Sequence, residues 1–135
     1  LIITTYGFWL PNDPRGSWSE FVRSWDLFLA AGAATKTSAR HSVAHVPHDR
    51  AARLAAKEAL HYSPVVFNEA QLAVVAAGFQ NAIDRSRFVI HACSILPTHV
   101  HAVINRHSYN IENVRNQLKG QASSALAKAA GHPGH

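Results

Sequence analysis

The chain holds a single cysteine, Cys93, so no intrachain disulfide can form, and a reducing, intracellular compartment is the simplest setting. No apolar run approaches the ~20 residues that a bilayer-spanning helix needs, and no signal peptide opens the sequence. A phosphate-cradling P-loop is missing too. GAATKTS, Gly32 to Ser38, has a glycine and a lysine but not the G-x-x-x-x-G-K-[ST] spacing. Acidic residues are few: 8 Asp and Glu stand against 13 Lys and Arg, a formal net charge of +5 with histidine neutral. That balance fits an acidic partner, most often nucleic acid, or simply a basic soluble protein.

What is present is 135 residues, 47% of them hydrophobic. That is the size of one domain, and such a chain buries roughly two-thirds of its unfolded surface without a disulfide or structural metal. The chain opens at Leu1 in strand-like sequence and stops within the loop-like GHPGH, so it reads as a fragment of a single domain, residues 1–135.

LIITTYGFW, Leu1 to Trp9, is β-branched and aromatic and reads as a strand. PNDPRGS, Pro11 to Ser17, is turn chemistry. Ser17 and Glu20 form a capping-box pattern ahead of a helix over Trp18 to Ala31. Gly32 to Pro47 reads as loop, Asp49 caps a short helix through Leu60, and Tyr62 to Phe67 reads as extended. Asn68 with Gln71 makes a second capping box, with Phe67 and Leu72 as a staple. Leu72, Val75, Phe79 and Ile83 share the apolar face of the helix that follows. Phe88 to Leu96 and His99 to Arg106 read as strands joined by a turn at Pro97 and Thr98, and Asn110 caps a last helix. With residues 19–60 set aside as a helical and loop insert, the order is β-α-β-β-α. This is an α+β, ferredoxin-like half-open sandwich, its antiparallel sheet covered by helices on one face and lacking its last strand.

In LPTHVHAVI, Leu96 to Ile104, two imidazoles interrupt an apolar strand. Strand alternation puts Val100, Ala102 and Ile104 on one face and His99, His101, Val103 and Asn105 on the other. The same parity puts Phe88, Ile90, Ala92 and Leu96 under the helices. It leaves Val89, His91, Cys93 and Ile95 with the histidines. Residues i and i+2 are roughly 6.8 Å apart along a strand, close enough for two rings to lean onto one divalent ion. Two surface histidines with no task have the same pattern.

These residues carry a resemblance. LPTHVHAVI is similar to the HUH motif (His, bulky apolar, His) of the IS200/IS605-type tyrosine transposases. TTYGFWLPNDPRGSW, Thr4 to Trp18, resembles the opening of their REP-associated branch, and NQLKGQASSAL, Asn116 to Leu126, the helix after the HUH strand. The insert is covered weakly. The resemblance implies a ferredoxin-like fold whose open sheet face binds single-stranded, hairpin DNA. His99 and His101 would hold Mg²⁺ or Mn²⁺ and count as catalytic on that ground. A tyrosine on a later helix would attack the scissile phosphate to form a 5′-phosphotyrosine. It also implies a cytoplasmic, nucleoid-associated bacterial protein, acting alone or as a homodimer. The nucleophile is expected beyond residue 135. Of the tyrosines present, Tyr109 is the nearest substitute but reads as packing beside the Asn110 cap; Tyr6 and Tyr62 read as structural.

Other residues keep two readings each. Arg15 meets phosphate or clamps its turn through Asp13; Trp18 and Trp9 stack on bases or pack. Arg115, Lys119 and Lys128 make a solvated helix face or neutralise phosphates. Of His41, His45 and His48, the first two have zinc-like spacing on a helix face, but Pro47 and the lack of a nearby Glu base favour a loop, and Cys93 reads as an inert thiol. The rival function is a non-catalytic DNA-binding relative with idle histidines.

Overall fold

The computed structural model describes residues 1–13, 22, 24–34 and 47–129. Their elements are β1 (Ile2–Thr4), α1 (Trp25–Ala31), α2 (Arg50–Glu58), α3 (Glu69–Ser86), β2 (Ile90–Ile95), β3 (His99–Ile104) and α4 (Ile111–Lys128). The fold is α+β, with one three-stranded antiparallel sheet in the order β1-β3-β2 and four helices among the described residues. The chain divides into two compact units, Leu1–Thr5 with Val65–His135, and Tyr6–Pro64. The second contains the whole segment read as an insert.

In the first unit, β3 is central. Both neighbours run antiparallel to it, so β1 and β2 run parallel to each other on either side. Ile2, Ile3 and Thr4 pair with His101, Val100 and His99. The β2–β3 hairpin turns at Pro97 and Thr98 as expected, closed by the Leu96 N–H donating to the His99 carbonyl at 2.8 Å. Its tip is anchored twice: the Thr5 N–H (3.0 Å) and hydroxyl (2.9 Å) donate to the Thr98 carbonyl, and the Phe67 N–H to that of Pro97 (2.8 Å). β1 is shorter than the strand expected through Trp9. Gly7 adopts φ 77, a left-handed conformation that ends extended chain.

Asn68 caps α3 as predicted. Its side-chain oxygen accepts from the Gln71 N–H at 2.9 Å, and the Gln71 side-chain oxygen accepts from the Asn68 N–H at 3.0 Å. Asn110 caps α4, accepting from the Asn113 N–H at 2.9 Å. Val75, Phe79 and Ala82 of α3 meet Val114, Leu118, Ala122 and Leu126 of α4, and together they cover Ile3 and Val100 of the sheet. Val114 and Leu118 are fully buried, each burial favouring the fold by roughly 1.5–3 kcal/mol. The two helices touch closely at Gly78. A Cβ there would lie 2.6 Å from the Ala122 Cα, so only glycine permits this approach.

The second unit packs Leu10, Ala31 and Ala56 with Leu27 and Leu60. Asp49 caps α2, accepting from the Ala52 N–H at 2.9 Å. The helix expected over Trp18 to Ala31 starts instead at Trp25, because the Ser24 side chain takes the cap by accepting from the Leu27 N–H at 3.4 Å. The proposed Ser17–Glu20 box lies outside the described residues. At the other end of α1 the Asn12 amide donates to the Ala31 carbonyl at 2.6 Å. Asn12 itself closes a Leu10–Asp13 turn with φ 62, the left-handed third position that Asn tolerates.

Candidate metal and nucleic-acid site on the open sheet face

The core fixes which way the histidines point. Val100 and Ala102 are buried at 5% and 6% exposure, with the helices of the first unit packed over Val100. Their alternation partners His99, His101 and Val103 therefore rise from the other face, where Val103 is 60% exposed. The His99 and His101 rings meet with centroids 4.9 Å apart and planes at 82°. A divalent ion ~2.1 Å from each imidazole nitrogen lies about 3.2 Å from each ring centre, so two ligands at roughly 90–109° have centres about 4.5–5.2 Å apart. The observed spacing falls within that span. The χ2 of an imidazole is a soft, broad torsion, so both rings can adjust toward a common ion. Two imidazole nitrogens suit a borderline divalent ion, with the remaining positions left to solvent or substrate oxygens. Among the described residues no three His, Cys, Asp or Glu side chains form a metal-holding group.

Each ring has a hydroxyl neighbour that its own strand does not supply. The Thr98 hydroxyl lies 3.1 Å from His99 Nδ1. By register, Thr4 of β1 stands opposite His99, and Ser94 of β2 stands opposite His101. Directly paired residues on one face have Cβ atoms about 4.5–5.5 Å apart, within reach of a shared ligand.

Ser94 is a correction to strict alternation. Ile90 pairs with Ile104 but Ala92 pairs with Val103, so His91 is an extra residue in a β-bulge. Beyond it the faces exchange. Ala92, Ser94 and Leu96 fall on the histidine face, while Cys93 and Ile95 pair with Ala102 and Val100 of the core side. Ile95 packs against the core accordingly. Cys93, expected beside the histidines, is not on their face. It is solvent-accessible on the edge strand, yet its surroundings desolvate it enough to push its pKa above the ordinary thiol value. The missed signal was the five-residue gap between Ile90 and Ile95, two apolar residues that alternation cannot bury together.

The remaining candidates are elsewhere. Tyr109 is not brought to the histidines. Its ring stands edge-on to Phe88 at 6.4 Å and 5.0 Å from that of His107, beyond the Ile104 end of β3, and its N–H donates to His107 Nδ1 at 3.1 Å. Arg115 and Lys119 are exposed on α4, whose buried side packs on the sheet face opposite the histidines. Arg115 reaches the Asn116 side-chain oxygen at 3.5 Å. Tyr6 and Tyr62 make an edge-to-face pair at 6.2 Å, both largely exposed. Arg15, Trp18, His41 and His45 lie outside the described residues. No described helix is long and apolar enough to cross a membrane. No protein-family model, curated protein or solved structure matches the chain.

Proposed function

We propose that this chain is the metal-binding part of an HUH-type tyrosine transposase of the REP-associated branch, which binds single-stranded hairpin DNA and cleaves and rejoins it. One observation carries the reading: His99 and His101 rise together from the face of the central strand opposite α3 and α4, their ring centres 4.9 Å apart. The β1-β3-β2 order supports it as well, since a ferredoxin-like sheet short of its last strand has that order. The net charge of +5 suits a polyanion.

His99 and His101 would hold Mg²⁺ or Mn²⁺, which when bound polarises a phosphoryl oxygen and offsets charge developing in the displacement. The chain's own part is positioning. The Thr98 hydroxyl sets the His99 ring through Nδ1, the kind of outer contact that fixes a ligand's tautomer and angle. The anchored hairpin tip holds that threonine in turn. The nucleophilic tyrosine is assigned to sequence downstream of His135. Its phenolic oxygen would form the new bond to phosphorus as the bond to the 3′-oxygen breaks, leaving a 3′-hydroxyl. Arg115 and Lys119, on the helical layer, are assigned to DNA flanking the histidine face rather than to the strand crossing it.

The test is manganese-dependent cleavage of single-stranded hairpin DNA by a chain extended through the downstream helix. Loss of cleavage in His99→Ala and His101→Ala supports the reading, and undiminished cleavage by both variants refutes it. DNA binding indifferent to manganese, with no cleavage, would instead identify a non-catalytic relative.

A further inference from the structure

Beside His101, on the side away from His99, the sheet holds a depression of about 330 Å³. Ile2, Ala92, Ser94, His101 and Val103 line it from the histidine side, and Leu1, Cys93 and Ala102, of the other parity, line it as well. The register explains its make-up. Ile2, His101 and Ser94 form one row across the three strands, and Val103 with Ala92 forms the next. The bulge at His91 is what turns Ala92 and Ser94 onto this face. The result is an apolar floor of Ile2, Val103 and Ala92, bordered by one imidazole and one hydroxyl. Val103 is 60% and Ile2 40% exposed, so this surface is open to a ligand.

We infer that this depression is a nucleobase subsite, taking one unpaired base of the strand whose phosphate lies at the histidines. The inference rests on the single-stranded DNA reading above and adds the residues that hold a base. Its volume is at the lower end for small-ligand sites, enough for a flat heterocycle and not for a duplex. The floor is apolar and its rim carries one donor-acceptor hydroxyl. A base has that form, with a face to lay on aliphatic carbon and a polar edge to meet Ser94. The His101 ring, next along β3 from Val103, borders the subsite as well as the cation position. A nucleotide seated here therefore brings its own backbone to the histidines. Val103 and Ile2 are positioning residues by this account, and Ser94 selects among bases by the edge it meets.

The experiment uses the 135-residue chain, EDTA to exclude metal, and fluorescent single strands of about twelve nucleotides, long enough for one binding site. A single abasic position is walked along the strand, and each strand is titrated with the parent and with Val103→Thr, an isosteric change at an exposed strand position. One abasic position should weaken binding by the parent about five- to tenfold, and the same position should cost Val103→Thr less than twofold. A Val103→Tyr variant, which adds a stacking surface, should tighten the intact strand several-fold and lose that gain only at the same position. Losses that multiply independently at every position would overturn the subsite while leaving DNA binding intact. Failure of the parent to bind any single strand would overturn the DNA reading and the subsite together.

Discussion

Replacing Gly78 with alanine should force α3 and α4 apart. A Cβ at that position would lie 2.6 Å from the Ala122 Cα and 2.8 Å from the Ala122 nitrogen and the Gln121 carbonyl oxygen. Carbon atoms in comfortable contact are about 3.5–4.0 Å apart, so the helices must separate locally by about 1 Å. The atoms met are backbone and have no rotamer to escape into. Separation loosens the layer of Val75, Phe79, Leu118 and Ala122, so a cost near the upper end of overpacking, about 3 kcal/mol, is expected. Alanine's better helix propensity returns about 1 kcal/mol. The net loss is about 2 kcal/mol, worth a fall of roughly 8–16 °C in Tm for a unit of this size. Gly120 of α4 is the internal control, because a Cβ there meets no atom within 4 Å. Gly120→Ala should stabilise by up to about 1 kcal/mol through propensity alone. Chemical denaturation of both variants measures the two signs. A Gly78→Ala variant as stable as the parent, or stabilised like Gly120→Ala, would refute the packing argument.

Thr98→Val keeps the hairpin-tip carbonyl but removes the hydroxyl 3.1 Å from His99 Nδ1. Manganese affinity measured by calorimetry should fall about tenfold, and an unchanged affinity would remove Thr98 from the site. Asn68→Ala deletes one half of the α3 capping box and frees the other, and should lower the unfolding free energy by about 1 kcal/mol in urea titration. Deleting His91 leaves a regular ladder in which Ile90 and Ile95 both still face the helices. The change in stability should stay below about 1 kcal/mol, whereas a cost of several kcal/mol would show that the bulge itself holds the sheet.

Caps and helix faces were the most legible features of the sequence. Asn68, Asn110 and Asp49 announce helices because a short polar side chain beside free N–H groups has one local use, and all three take it. The common face of the two histidines followed from the two-residue period of a strand. What alternation missed was any departure from that period. The extra residue at His91 moves Ser94 to the histidines and Cys93 away from them, and only pairing with β3 reveals it. The start of the first helix was not legible, since Ser24, which caps it at Trp25, lies inside the apolar pattern read as helix. The Gly78 contact was not legible, since the partner backbone at Ala122 is 44 residues away in sequence.

The central claim concerns the two imidazoles of β3, and manganese reports on them directly. Substoichiometric Mn²⁺ added to the histidine-labelled chain broadens nearby ring resonances in an NMR spectrum. The account predicts that the His99 and His101 rings broaden first and together, followed by the amides of Thr4 and Ser94, and that His101→Ala abolishes the effect. Broadening that begins at other histidines, or that leaves these two rings untouched, would contradict it.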